Sequence, residues 1–363
     1  MTRYAKAAVM TAQNADLEFI EYPLPRVEPG CILVKIDCCT ICGSDIHSWV
    51  GNRSSPVPVI LGHEIAGTIE ETGGPVYDAL DQRLKKGDRI TWTSMDNCGK
   101  CFYCRQKGLM MKCRSIKKYG HDSCEAPPHF AGGFAEYCYL TPGTCAVRIP
   151  DNVTSIEAAP ANCALACITA GWEEAGIEAF DNVLIMGAGA LGIYAAALAD
   201  HMGCRNIIVT DLVPYRLEMA KKFGATHVVN TAETDEAALV EMVREVTGGF
   251  GADCAMEVAG VPSLMALGVN ALRTGGCLIE MGCSFPDAAV TLNINEILWK
   301  RLTIKGVHNY DARHLQKGIQ LLSQSRDQYP FQDIVTHTRP LERINEGMRL
   351  ARDRNTIRVG ILP

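Results

Sequence analysis

The sequence predicts an α/β protein organised around a doubly wound parallel sheet, preceded by a β-rich region. Three observations carry that expectation. Past Pro150, buried-strand runs alternate with helical stretches, the order that lays parallel strands side by side. One such run, Val183–Met186, passes into Gly187-Ala-Gly189-Ala-Leu191-Gly192 and then an alanine-rich helical stretch ending at His201. Before Pro150, short apolar runs are punctuated by proline and glycine, as strands and turns require. At 363 residues, the chain exceeds one ordinary core and accommodates two domains.

A hydrophobic content of 47% and a charged content of 21% describe a globular chain. The net charge of -6 offers no basic field for nucleic acid or an anionic membrane surface. Seventeen cysteines, an odd number that includes CxxC spacings, point to reduced thiols and metal sites in a cytoplasmic protein rather than a disulfide scaffold. The segment MTRYAKAAVMTAQNADLEF lacks the apolar core of a secretory leader. The longest apolar run, Val183–Ala199, is interrupted by three glycines and falls short of the ~20 residues of a membrane span.

In chain order, AAVM and CILVKI are strand candidates between Ala5 and Asp37, set off by Pro23, Pro25, Pro29 and Gly30. Similar runs follow at Ile65–Glu70, Arg89–Trp92 and Phe134–Leu140. Among them, the stretch Cys39–Gly67 places a thiol at Cys42, an imidazole at His63 and a carboxylate at Glu64. These are ligand types that zinc prefers, and a catalytic zinc keeps one position open, so ligands gathered from separate points of the chain suit it. Cys98, Cys101, Cys104 and Cys113 form a denser group. Four thiolates this close can surround one zinc tetrahedrally and lock a loop that has little core of its own.

The glycine run reads as the turn of a βαβ unit whose second strand, Asn206–Thr210, ends in Asp211. Gly187 permits the tight turn, Gly189 lets the backbone approach a pyrophosphate, and Gly192 allows helix and strand to pack closely. The phosphates then meet the helix amino terminus. Asp211, 24 residues after Gly187, is placed to hydrogen-bond a ribose 2′-hydroxyl and to repel a 2′-phosphate, which favours NAD over NADP. Beyond it the expected elements are helix 214–223, strand His227–Asn230, helix 235–247, strand Asp253–Val258, helix 262–272, and strands Cys277–Gly282 and Thr303–Gly306. Helices 311–325 and 341–352 and a closing strand Ile357–Leu362 complete the chain.

The run Cys42-Gly-Ser-Asp-Ile-His47, followed by Gly62-His63-Glu64, resembles the zinc-dependent alcohol dehydrogenases of the medium-chain dehydrogenase/reductase superfamily, and the likeness extends over nearly the whole chain. It implies a discontinuous GroES-like catalytic domain, 1–164 and 308–363, holding both zinc sites, with a Rossmann dinucleotide-binding domain over 165–307. The third catalytic zinc ligand is expected from Pro160-Ala-Asn-Cys163, at Cys163, with Cys167 as the rival; either can instead be a small core residue. Glu64 ligates transiently or acts from beside the metal, and Asp45 accepts a hydrogen bond from the far nitrogen of His63. Ser44 takes the alcohol proton and passes it through the cofactor ribose to His47; turn residues on a loop are the bland alternative for both.

Leu191 belongs to the cofactor loop, Arg216 flanks the ribose, the backbone around Met281 to Cys283 and His308 holds the nicotinamide, and Arg358, read as an exposed terminal arginine, pairs with the pyrophosphate. The family's metal lobe has seven residues before its fourth cysteine, whereas eight, Arg105 to Lys112, stand here.

The implied activity is NAD-dependent oxidation of an alcohol to a carbonyl, with one catalytic and one structural Zn2+ per subunit. Zinc lowers the pKa of the alcohol oxygen while nicotinamide accepts the hydride. Trp49, Asn52 and Arg53 lie on a segment that lines the substrate cleft in relatives, and an arginine there can bind an anionic group. Together with a resemblance of Thr141-Pro-Gly-Thr and Pro160-Ala-Asn-Cys163 to a branch associated with phosphonate catabolism, this suggests a hydroxyalkyl phosphonate or another small alcohol. A neutral alcohol or polyol with a solvated Arg53 is an equal alternative. The rivals are a polyol or amino-alcohol dehydrogenase, which often carries a carboxylate in place of Cys163, and a non-catalytic NAD-binding redox sensor, which would have no need of Cys42, Ser44, His47, His63 and Glu64 together. A homodimer or homotetramer is expected, with Leu292–Leu302 as a candidate contact.

Overall fold

The run Ile32–Ile41, rich in β-branched residues, forms the central strand of a seven-stranded sheet in the computed structural model, which describes residues 2–363. Glu64–Thr72 pairs antiparallel along one edge of this strand, with Thr40 opposite Glu64. Arg358–Leu362 pairs antiparallel along the other edge, with Ile41 opposite Val359 and Thr40 opposite Gly360. Arg89–Trp92 and Ala146–Arg148 extend the sheet on one side and Val335–Pro340 on the other, while Tyr137–Leu140 pairs with the start of the central strand. Ile36, Ile65, Ile69, Trp92, Phe130 and Phe134 fill the core beneath. Burying each contributes about 1.5–3 kcal/mol relative to exposure. A smaller sheet joins Glu18–Pro23, Tyr4–Met10 and Val59–Ile60.

This first unit runs through Ala166 and resumes over Tyr310–Arg326 and Phe331–Pro363; the second comprises Cys167–Asn309 and Asp327–Pro330. Asp327–Pro330 joins the second unit, a transfer that the expected boundaries did not include. Tyr329 there stacks on Phe223 at 6.1 Å and its hydroxyl donates to Asp200 Oδ2 at 2.7 Å.

The second unit holds a six-stranded parallel sheet whose strands, numbered in chain order within this unit, lie 3-2-1-4-5-6: His227–Asn230, Asn206–Asp211, Asn182–Met186, Ala252–Glu257, Leu272–Glu280 and Thr303–Gly306. That order reverses between the first and fourth strands, where open α/β sheets leave a crevice at their carboxyl ends. Four consecutive buried residues, Val183–Met186, fit a strand covered on both faces. Helix Ala190–His201 is buried almost all round, which is why its alanine-rich sequence has no polar face. Helix Glu236–Val246 is amphipathic, burying Leu239, Val240 and Val243 and capped by Asp235, whose carboxylate accepts the Ala238 N–H at 2.8 Å. The largest departure from the expected boundaries is at the fifth strand. The fifth strand starts at Leu272 rather than Cys277, directly after the preceding helix, with a register irregularity opposite Ala252–Cys254.

Among the described residues no cysteines are disulfide-bonded, and no helix is long and apolar enough to cross a membrane.

Candidate active site

Sheet register assembles the first site. Cys42 follows the central strand, His63 and Glu64 open the neighbouring strand that runs back beside it, and Arg358 opens the strand on the other side. Gly62 sets the approach of His63. Its φ is +85°, and a Cβ there would stand 2.7 Å from both Cys39 Sγ and the Phe134 ring. Cys163 caps the short 3-10 turn Ala159–Asn162, which is fixed by Asn162 donating to Trp92 O at 3.1 Å and by the Tyr310 hydroxyl donating to Asn162 O. One ligand atom each from Cys42, His63, Glu64 and Cys163 lies within 4.8 Å of all the others. Cys167 is not in this group; it lies in helix Ala164–Ala175.

The electrostatics of the cluster are those of a cation site. Hydrogen bonding from Cys163, then the Arg358 charge and His63, holds the Cys42 thiol well below its ordinary value against the opposing effect of burial. Burial alone would push the His63 imidazole down, but Asp45 and Cys42 together carry it well above its usual range. Two thiols and an imidazole converging on one point are a donor set that fits zinc, with the carboxylate of Glu64 beside them.

Arg358 is buried, not exposed as the sequence suggested. It is 7% exposed, and its Nε and Nη2 donate to Glu64 Oε2 and Oε1 at 2.8 and 2.9 Å, with Nη2 also 3.7 Å from Cys42 Sγ. The closing strand folds inward and buries the guanidinium, so its charge compensates the site's carboxylate and thiolate. Thr40 Oγ1 donates to Glu64 Oε2 at 2.5 Å. Burial pushes the Glu64 carboxyl up to about 7, against the pull of Arg358.

Gly43–Trp49 forms a helix, where sequence reasoning had no element. Asp45 is fully buried and accepts the N–H groups of Cys42 at 2.8 Å and Gly62 at 3.0 Å, tying the two ligand-bearing segments together. Its Oδ1 lies 3.4 Å from His63 Nδ1, an electrostatic contact rather than a hydrogen bond. Ser44 and His47 stand three residues apart on this helix, both half-buried, and neighbours on one helical face. Trp49 is expected at the substrate cleft, and the structure places it at the end of this helix. It is 7% exposed within the core, and its indole N–H donates to Ala15 O at 2.6 Å, anchoring the helix end. Arg53 is half-buried and its backbone N–H donates to His47 O at 3.1 Å. Sequence reasoning missed His121, whose ring centroid lies 5.0 Å from that of His63. No local motif announces it.

The lobe Cys98–Cys113 brings its four Sγ atoms within 4.8 Å of one another. Phe102–Arg105 forms one helical turn and Met110–Lys112 a 3-10 turn, and these take up the eighth residue without displacing Cys113. Backbone N–H groups point at the sulfurs: Cys98 and Ser115 donate to Cys113 Sγ at 3.3 and 3.4 Å. N–H groups of Arg114 and Cys104 bring the Cys101 thiol down to about 6. Such thiolate-stabilising donors fit a four-thiolate zinc.

In the second unit the loop after Asn182–Met186 fits a dinucleotide. Gly187 has φ +116° and abuts Ala259, and a Cβ on Gly192 would lie 1.8 Å from Gly187 O, whereas the space beside Gly189 is open. Gly189 caps helix Ala190–His201 without a side chain, leaving the first-turn N–H groups, Leu191 included, facing outward for phosphate. The carboxylate of Asp211 is held at the strand end by the N–H groups of Ala188 and Val213 at 2.8 and 2.9 Å. Arg216 lies half-buried on helix Pro214–Lys222. Glu257, which sequence reasoning overlooked, is fully buried and accepts N–H groups from Ala259, Gly260 and Val261, shaping the loop against Gly187. Met281 donates to Glu257 O at 3.0 Å and Cys283 to Glu280 Oε1 at 2.7 Å; His308 follows the sixth strand. All lie at carboxyl ends of sheet strands, where such folds bind ligands.

Comparison with known proteins agrees. Residues 28–151 match the alcohol dehydrogenase GroES-like domain and residues 190–324 the zinc-binding dehydrogenase family. The chain is 32% identical to an L-threonine 3-dehydrogenase of Alteromonas mediterranea, covering 94% of this chain and 95% of that one. It is 29% identical to a 5-exo-hydroxycamphor dehydrogenase of Pseudomonas putida, covering 96% of each. A crystal structure of an alcohol dehydrogenase from Thermotoga maritima superposes with a TM-score of 0.95 at 30% identity, over 99% of this chain and all of that one.

Proposed function

Because the chain belongs to the zinc-dependent alcohol dehydrogenases of the medium-chain dehydrogenase/reductase superfamily, we propose that it oxidises a small alcohol to a carbonyl with NAD, using Cys42, His63 and Cys163 as catalytic zinc ligands. The observation that carries this is the convergence of those three with Glu64 to within 4.8 Å, all buried but the half-buried Cys163, next to a helix bearing Ser44 and His47. When bound, zinc supplies the positive charge that favours loss of the hydroxyl proton, and nicotinamide supplies the hydride acceptor.

The protein's own groups do the rest. Cys42, His63 and Cys163 would hold the metal, and Glu64, clamped by Arg358 and Thr40, would stand beside those ligands as a further donor. Asp45 keeps the Cys42 and Gly62 segments in register and biases His63 electrostatically. Ser44 takes the hydroxyl proton, and His47 releases it to solvent. The four-cysteine lobe holds the structural zinc. Gly187, Gly189, Leu191 and Gly192 cradle the pyrophosphate, Asp211 and Arg216 flank the adenosine ribose, and the Met281, Cys283 and His308 backbone meets the nicotinamide ring. The carboxylate of Asp211 supports NAD over NADP. The first unit thus serves as the catalytic domain and the second as the cofactor domain. Exposed Ile294, Leu298 and Trp299, next in sequence to the edge strand Thr303–Gly306, support a homodimer or homotetramer.

A thiol rather than a carboxylate at Cys163 supports an alcohol dehydrogenase over the polyol branch. The test is NADH formation over a panel of simple alcohols, polyols, L-threonine and hydroxyalkyl phosphonates, with and without a chelator. Chelator-sensitive turnover of one class is expected. No turnover of any member by zinc-replete protein would overturn the assignment in favour of a non-catalytic NAD-binding protein.

A further inference from the structure

Glu257 and Glu280 close the fourth and fifth strands of the six-stranded sheet, paired in register with each other, and Glu257 also pairs with Met186 at the end of the first strand. The crevice of such a sheet lies between its first and fourth strands. One oxygen of each carboxylate lies within 4.8 Å of the other, so two like charges meet at the edge of that crevice. Each is held there by donors. The donors are backbone N–H groups of the loops that follow these strands.

Glu257 is fully buried and bears on three loops. Its Oε1 accepts the N–H groups of Ala259, Gly260 and Val261 at 3.0, 2.8 and 3.1 Å, which fixes the loop after the fourth strand. That loop abuts the turn after the first strand: a Cβ on Gly187 would stand 2.8 Å from Ala259 Cβ, and Val258 donates to Met186 O at 3.1 Å. The backbone oxygen of Glu257 accepts the Met281 and Gly282 N–H groups at 3.0 and 3.1 Å. A Cβ on Gly282 would stand 2.3 Å from Glu257 Oε2, so the loop after the fifth strand packs directly on the carboxylate. Burial pushes the Glu257 carboxyl up to about 6, with the Val261 N–H opposing the rise and Glu280 adding to it. At neutral pH the hydrogen bonds to Oε1 are therefore charge-assisted. Glu280 is half-buried and holds its own loop, its Oε1 accepting the Cys283 N–H at 2.7 Å.

We infer that Glu257 and Glu280 are positioning residues of unequal reach for the dinucleotide: Glu257 sets both the Gly187–Gly192 turn and the 281–283 backbone, and Glu280 sets the 281–283 backbone alone. Neither carboxylate touches the cofactor in this account; each acts through the loop whose N–H groups it holds. The inference rests on reading the first loop as the pyrophosphate contact and the second as the nicotinamide contact, and it assigns a role to two acids that no sequence motif marks.

The test uses the zinc-replete full chain and three probes that extend stepwise from the Asp211 end: adenosine, ADP-ribose and NADH. Binding is measured by calorimetry, so no turnover is needed. Glu257→Ala is expected to weaken ADP-ribose and NADH by roughly tenfold or more and to leave adenosine within about twofold. Glu280→Ala should weaken NADH alone. Glu257→Gln and Glu280→Gln, which keep an acceptor oxygen for the loop N–H groups, should recover most of each loss. Should Glu257→Ala not fold, Glu257→Asp, one methylene too short to reach all three N–H groups, carries the same expectation. Equal weakening of all three probes by the Glu257 variant would mean general disruption of the unit and overturn the inference. So would unchanged NADH binding in either variant, ADP-ribose and NADH weakening together in Glu280→Ala, or no recovery with Gln. Wild-type protein that binds neither ADP-ribose nor NADH would overturn the dinucleotide reading itself, an outcome distinct from any difference among the variants.

Discussion

The two thiol-bearing clusters of the first unit are built in opposite ways. The lobe draws all its ligands from Cys98–Cys113, and its sulfurs are met by backbone N–H groups of the same loop. The other gathers Cys42, His63, Glu64 and Cys163 from separate segments, buries all but the half-buried Cys163, and needs Arg358 from 294 residues beyond Glu64 to balance their charge. A local cluster can order its own loop and is therefore suited to stability. A dispersed one exists only once the sheet has formed, and it places reactive groups in a low-dielectric pocket where charge acts strongly.

Exchanging one ligand in each cluster should separate these roles most sharply. His63→Ala is expected to lower kcat by on the order of a thousandfold, about 4 kcal/mol of transition-state stabilisation, while leaving the fold intact by circular dichroism. Cys101→Ser should instead leave most of the turnover and make the 98–113 loop the first site of limited proteolysis. Similar activity losses in both variants would erase the distinction.

Charge balance is next in size. Arg358→Met leaves Glu64 buried and unpaired and should cost about 3–5 kcal/mol in urea unfolding, much of it recovered in Arg358→Met/Glu64→Gln. A loss below about 1 kcal/mol would mean that the pair is not a structural necessity of the dispersed cluster. Ser44→Ala and His47→Asn should each reduce kcat by about a hundredfold, with the loss for His47→Asn shrinking as pH rises and solvent hydroxide substitutes for the relay. A uniform loss across pH would remove His47 from proton transfer.

The smallest effects concern pH, measured on metal-free protein. Glu64 is raised from 4.5 to about 7, so its contribution to stability is present below 4.5 and lost as pH rises through 7. Cys101 is lowered from 9.0 to about 6, so its contribution is present above 9.0 and lost as pH falls through 6. Glu64→Gln should remove a declining slope and Cys101→Ser a rising one. The same sign for both would contradict the opposed electrostatics.

Legibility in the sequence follows the same division. The four cysteines and the Gly187–Gly192 turn were readable because their chemistry is local: spacing alone brings the groups together. His63 and Cys42 were readable through short patterns, although their convergence needs the register of three strands. Arg358 was read as exposed because nothing near residue 358 reveals that the closing strand buries it against Glu64. The burial of Trp49 was equally illegible, since the partner of its N–H, Ala15 O, lies 34 residues earlier. Strands Glu18–Pro23 and Val335–Pro340 escaped because their polar, partly exposed residues gave no apolar run. His121 had no signal at all; only the close approach that Gly120 permits puts it beside His63.

The most direct test of the dispersed cluster as a metal centre is zinc content measured by plasma mass spectrometry on wild-type protein, Cys42→Ala and Cys101→Ala. Two equivalents per chain in the wild type and one in each variant, with only Cys42→Ala inactive, is the predicted result. A single equivalent in the wild type that Cys101→Ala removes and Cys42→Ala leaves untouched would contradict it.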